Sequence, residues 1–145
     1  MNRKFAWVLL LTAAAQAAGV AGNWQGTLDV GAAKLRLAFH ITKDSSGGYA
    51  SKLDSIDQGA SGISVQQTSV NGNSVHMEMP SLAATYEGTL KEDGSEIAGT
   101  FTQRGLALPL ALKRVDVVET LKRPQNPKPP FPYDALDVSF ENKRE

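Results

Sequence analysis

Leu35-Arg36-Leu37-Ala38-Phe39-His40-Ile41 is the stretch that decides the fold class. Its large apolar residues stand two apart, with Arg36, Ala38 and His40 between them. Val75, Met77 and Met79 repeat the pattern around His76 and Glu78. Leu106, Leu108, Leu110 and Leu112 form its longest row, interrupted on the other side by Pro109. A period of two puts each row on one face of a β-strand, because successive side chains point to opposite sides. A helix would need apolar residues three and four apart, and the region from Gly22 to Arg114 does not supply them.

Turn chemistry separates the rows. Gly31-Ala32-Ala33, Ser45-Ser46-Gly47-Gly48, Gly59-Ala60-Ser61-Gly62, Asn71-Gly72-Asn73, Pro80-Ser81, Glu92-Asp93-Gly94-Ser95 and Arg104-Gly105 divide the region into eight strands. Asn-Gly and Asp-Gly supply the positive φ that tight hairpins require. The strands are expected at 23–30, 34–43, 49–55, 63–70, 74–79, 83–90, 96–103 and 106–114. No connection is long enough for a crossover helix, so neighbours pair antiparallel. The expected fold is all-β: an eight-stranded antiparallel up-and-down barrel, whose closure removes exposed sheet edges. A two-sheet sandwich is compatible with the same pattern. Pro109 lacks an N–H, which puts the last strand at a bulge or a seam.

The inward set is Leu35, Leu37, Phe39, Ile41, Leu53, Ile63, Val65, Val75, Met77, Met79, Tyr86, Leu90, Ile97, Phe101, Leu106, Leu108, Leu110 and Leu112. Packed tightly, these side chains fill an eight-stranded barrel; packed loosely, they line a cup for one small hydrophobic ligand. Met77 and Met79 suit either arrangement. Gln25-Gly26-Thr27-Leu28, Glu87-Gly88-Thr89-Leu90 and Ala98-Gly99-Thr100-Phe101 share an x-Gly-Thr-apolar pattern. A mid-strand glycine lets a strand coil or makes room for a large neighbour. Trp24 and Tyr86 are read as plugs over these glycines, with ligand stacking as the other role open to them. The candidate ligand or partner contacts are Trp24, Phe39, Tyr49, Gln58, Gly59, Met77, Met79, Tyr86 and Phe101, with Phe131 and Tyr133 in the tail.

The whole chain has 145 residues, with fifteen basic and fifteen acidic side chains and no cysteine. That length holds one domain of ordinary size plus tails. Zero net charge gives no electrostatic footprint for nucleic acid. Lack of cysteine excludes disulfides, thiolate nucleophiles and Cys-based metal sites. Residues 1–21 read as a signal peptide: Arg3 and Lys4, an apolar run from Phe5, then Ala15-Gln16-Ala17 as cleavage pattern and Gly19-Val20-Ala21 as a second site. The run is shorter than the ~20 residues of a spanning helix, so no membrane anchor is expected after cleavage. The mature protein is therefore expected outside the cytoplasm, periplasmic or extracellular. Its core must stabilise the fold without disulfides.

Catalytic signatures are missing. His40 and His76 fall opposite the apolar rows and are expected at the surface. Ser61 in Gly59-Ala60-Ser61-Gly62-Ile63 lacks the second glycine of a Gly-x-Ser-x-Gly elbow and the strand–helix context. Asp44, Asp54, Asp57, Glu92, Asp93 and Glu96 read as turn or strand-end acids. No cofactor or metal motif is found. No catalytic residue is expected in this chain.

After Arg114 the composition changes. Five of the seven prolines lie in Arg123-Pro124-Gln125-Asn126-Pro127-Lys128-Pro129-Pro130-Phe131-Pro132-Tyr133. Residues 115–133 are expected as an extended polyproline spacer. In 134–145, Leu136, Val138 and Phe140 alternate with polar residues and read as one stub strand.

The chain carries two resemblances. Gly22-Asn23-Trp24 looks like the Gly-x-Trp opening of lipocalin-type barrels. More of the chain is covered by a second likeness. Trp24-Gln25-Gly26-Thr27-Leu28, the loop Asp54-Ser55-Ile56-Asp57-Gln58-Gly59-Ala60 and the stretch from Leu121-Lys122-Arg123-Pro124-Gln125 to Pro129-Pro130-Phe131-Pro132-Tyr133 resemble the N-terminal region of secreted bacterial α/β-hydrolases of the esterase or peptidase kind. In that family a small β domain precedes the linker, and the catalytic serine, acid and histidine lie in the downstream domain. The resemblance implies a non-catalytic accessory domain whose partner is an α/β-hydrolase catalytic domain, in cis or separately encoded. It carries no catalytic role onto any residue here.

Overall fold

In the computed structural model, residues 19–121 are described. The period-two rows form strands: β1 Gly22–Asp29, β2 Lys34–Lys43, β3 Tyr49–Ser55, β4 Ala60–Asn71, β5 Ser74–Met79, β6 Ala84–Leu90, β7 Glu96–Gln103 and β8 Leu106–Val115. Each pairs antiparallel with the next, and β1 pairs with β8, so the sheet is a closed barrel. The expected class is therefore found, and the sandwich is not. Residues 1–18 of the expected signal peptide (1–21) and residues 122–133 of the expected spacer (115–133) lie outside the described residues, as does the expected stub strand (134–145).

Differences from the expected strands have local causes. Gly59-Ala60-Ser61-Gly62 is only partly a turn, because β4 already begins at Ala60. Leu53 faces Ile63 while Ser55 faces Ala60, so β4 carries an extra residue there. Gly62, at φ +68°, absorbs the resulting bulge. Before β6, Pro80–Leu82 form a 3-10 turn that ends on Ala83 in the left-handed region at φ +48°. β1 and β8 share only three register pairs, from Asn23–Val115 to Gln25–Lys113. Pro109 lies beyond them, opposite Thr100 of β7 with no register shift. The strand is thus a seam strand, and its proline falls where no β1 ladder bond is made.

The barrel is filled. Trp24, Phe39, Leu53, Met77, Met79, Tyr86, Ile97, Leu110 and Leu112 are all below 2% exposed. Phe39 and Tyr86 meet as tilted rings with centroids 5.7 Å apart, an arrangement aromatic quadrupoles favour. Most of the expected inward set is in this core. Leu106 is a correction: as the first residue of β8 it projects past the barrel end and is 61% exposed. Leu35, Ile63 and Leu108 are only partly buried. Val20, Leu28 and Ala84 join the core although the alternating rows do not include them.

The two ends differ. At one end Val20 is buried and its carbonyl accepts the Trp24 indole N–H at 2.8 Å. The Arg114 guanidinium lies over the Trp24 ring, 4.3 Å from its centroid, and donates to the carbonyls of Gly19, Ala21 and Gly94. One cation thus seals this end by stacking and by hydrogen bonds at once. Residues 19–21, which the sequence reading assigns to the signal peptide, pack against this end of the barrel. The opposite end, bounded by the turns 30–33, 56–59, 80–83 and 104–105, has no such plug among the described residues.

Candidate functional site

Side chains far away in sequence set the path of the chain beyond β8. Rather than leaving as a free spacer from residue 115, the chain lies along the outer wall. Asn23 Nδ2 donates to the Asp116 carbonyl at 3.3 Å. The Glu119 backbone N–H donates to Gln25 Oε1 at 3.0 Å, and Arg36 Nη1 donates to Glu119 Oε2 at 2.9 Å. Side chains of β1 and β2 therefore clasp residues 116–119.

Arg36 is the centre of this clasp. Its Nη2 and Nε donate to Asp57 Oδ1 at 2.6 and 3.1 Å, while its backbone N–H donates to Asp57 Oδ2 at 2.7 Å. The side-chain hydrogen bond from Arg36 holds the Asp57 carboxyl below the usual carboxylate range. Asp57, in turn, raises the guanidinium's hold on its proton. Both side chains are about a third exposed, 31% and 29%. The pair therefore fixes geometry more than it adds stability, since solvent screens it.

The loop that contributes Asp57 is internally tied. Ile56 is buried, its N–H donates to the Arg36 carbonyl, and Gly59 N–H donates to the Ile56 carbonyl. Ser55 Oγ donates to Gln58 Oε1 at 2.7 Å. Asp54 accepts the Gly62 N–H at 2.7 Å and sits 2.9 Å from His40 Nε2. Partial burial opposes its ionisation, but these two hydrogen bonds outweigh it, and its pKa is lowered. His40 Nδ1 faces Asn23 Oδ1 at 2.8 Å. A polar chain thus runs from Asp54 through His40 and Asn23 to the Asp116 carbonyl. Ala38, between Arg36 and His40 on the same outward row, is fully buried. The two histidines lie on outward positions as expected, but both are half-buried and paired, His40 with Asp54, and His76 with Glu78 and Glu87.

A groove of about 380 Å³ opens beside the clasp, between His40, Asp54, Ile56 and Ala60 on the wall and Val118 to Leu121 on the strap. At its edge both His40 nitrogens lie against oxygens, Nδ1 against Asn23 Oδ1 and Nε2 against Asp54 Oδ2. Among the described residues no group of three His, Cys, Asp or Glu side chains could hold a metal ion.

The structure scatters the contacts expected from sequence. Trp24, Phe39, Met77, Met79 and Tyr86 are core residues, out of reach of a molecule in solvent, whereas Phe101 borders a small opening at the other end of the barrel. Tyr49 is half-buried at the Arg114 end, and Gln58 and Gly59 lie in the loop at the other end. Phe131 and Tyr133 lie outside the described residues. Arg36, Gln25, Asn23 and Glu119 are the functional candidates that the alternation hides. Only the loop Asp54 to Ala60, singled out by its sequence, points to them. Family models, curated proteins and solved structures were compared with this chain, and none matches it.

Proposed function

We propose that this chain is a non-catalytic accessory module that holds and aims a downstream α/β-hydrolase domain, as its sequence resemblance implies. The observation that carries the reading is the clasp. A passive linker needs no attachment to the barrel, whereas residues 116–119 are bound by three side chains from two strands. That attachment fixes the path of residues 116–119 along the wall. Arg36 joins the Asp54 to Ala60 loop, one of the three stretches that carry the resemblance, to Glu119, two positions before the stretch that begins at Leu121. In this reading the protein is exported, its signal peptide is removed, and the barrel itself breaks no bonds.

The test begins with the gene. The nucleotide sequence downstream of this frame is read, and any hydrolase polypeptide encoded there is titrated into the purified protein by calorimetry. Saturable binding by the wild type, weakened at least tenfold by Arg36→Ala with Glu119→Ala, is the expected result. Absence of a hydrolase frame, or ester hydrolysis by the purified chain that His40→Ala or Ser61→Ala abolishes, overturns the reading.

A further inference from the structure

The unplugged end of the barrel holds a small apolar mouth. Leu28, Leu35, Leu53, Ile63, Leu82 and Phe101 surround a space of about 110 Å³. That is well below the roughly 300–1,000 Å³ usual for drug-sized ligands. It is also below the ~150 Å³ apolar cavity that holds a benzene ring. By that yardstick it takes about four carbon atoms.

The rim narrows the chemistry further. The polar side chains lining the mouth are Ser55, Gln58 and Gln103, all uncharged. The Ser55 hydroxyl is spent on Gln58 Oε1, which leaves the Gln58 amide nitrogen as a donor. Gln103 Nε2 donates to the Leu82 carbonyl and so fixes one wall, which leaves Gln103 Oε1 as an acceptor. A donor and an acceptor without a net charge match an amide head group. A charged head would find no counter-ion in this lining.

We propose that this mouth binds a short, neutral acyl amide, with its aliphatic chain of about four carbons among the leucines and its amide between Gln58 and Gln103. The site shares the Asp54 to Ala60 loop with the outer-wall clasp but uses Ser55 and Gln58 of it rather than Asp57.

Methyl-resolved NMR of the full chain, titrated with acetamide, propanamide, butanamide, pentanamide and hexanamide, tests it. Shifts at the Leu35, Ile63 and Leu82 methyl groups should saturate. Affinity should rise about fourfold with each methylene up to the four-carbon chain and then level off. Butylammonium and pentanoate, which carry the same four-carbon chain, should bind at least tenfold more weakly than pentanamide. Leu82→Phe, or Leu35→Phe if the first variant misfolds, should abolish the shifts by filling the mouth. Gln58→Ala should weaken binding while keeping the chain-length series. No saturable shift, affinity independent of chain length, or equal binding of the charged analogues overturns the proposal.

Discussion

Tyr86 shows how single residues set the interior of this barrel. Its ring lies under two facing glycines, Gly88 and Gly99, which pair directly across β6 and β7. A Cβ at Gly99 would stand 2.8 Å from Tyr86 Cζ and 2.7 Å from the Gly88 Cα, and would also collide with the Glu87 carbonyl. Two of the three x-Gly-Thr-apolar copies therefore make room for one aromatic. The third differs: at Gly26 the backbone of Ala111 on β8 makes the close approach, and Trp24 packs elsewhere. The Tyr86 hydroxyl lies 3.0 and 3.1 Å from the carbonyls of Ile97 and Leu110 and shares its one proton between them. Burial raises its pKa and keeps it neutral. Gly99→Ala should cost about 1–3 kcal/mol, because backbone blocks the new methyl group and cannot swing aside. Tyr86→Phe keeps the packing and should cost only about 1 kcal/mol. Urea unfolding of both variants checks the order, and an equal loss would mean the glycines do not serve the ring. Arg114 provides a second case at this scale. Arg114→Lys retains the charge but cannot reach three carbonyls while stacking on Trp24. Its expected cost is about 2 kcal/mol in the same assay, and an unchanged midpoint would show that charge alone closes that end.

Elements whose signals are local were legible from sequence, and elements set by distant partners were not. β2, β3, β5 and β7 lie where alternation and turn residues put them. The start of β4 was missed because a glycine at a bulge and a glycine at a turn look alike in sequence. The strap after β8 was missed for a different reason. It is held by Arg36, Gln25 and Asn23, which lie 83, 94 and 93 positions from their partners. The mouth at the unplugged end was hidden as well, because alternation assigns a residue to a face and says nothing of how deep in the barrel it sits. For the Asp54 to Ala60 loop the physics yields a pH dependence. Asp57 has a lowered pKa in the fold, so the unfolded chain takes up its proton first as pH falls. The stabilisation is therefore complete above about pH 4, the ordinary aspartate range, and disappears as pH drops through the lower folded value. Calorimetry from about pH 6 to about pH 2.5 should show the wild type losing more stability than Asp57→Asn, which has already lost that contribution. Parallel curves would mean that Arg36 does not discriminate the ionised carboxylate.

For the whole molecule, the question is where the protein would begin if it is exported as proposed. Two cleavage patterns follow one another in the sequence, one ending at Ala17 and one at Ala21, and periodicity cannot choose between them. The fold distinguishes them by what each cut removes. Cleavage after Ala21 takes away Val20, which is 2% exposed, and with it the acceptor of the Trp24 indole N–H. It also removes the Gly19 and Ala21 carbonyls that bind Arg114. Loss of a buried valine and an unsatisfied buried indole N–H each cost on the order of 1–3 kcal/mol. The barrel has no disulfide to compensate, because the chain has no cysteine. Cleavage after Ala17 leaves all these contacts intact. The prediction is that the protein recovered after export starts at Ala18, as read by intact mass and N-terminal sequencing. A chain made to start at Gly22 should melt roughly 10 °C or more below one starting at Ala18, taking about 4–8 °C per kcal/mol for a domain of this size. A native start at Gly22 with an undiminished melting temperature would show that the Val20 and Arg114 contacts do not seal the barrel end.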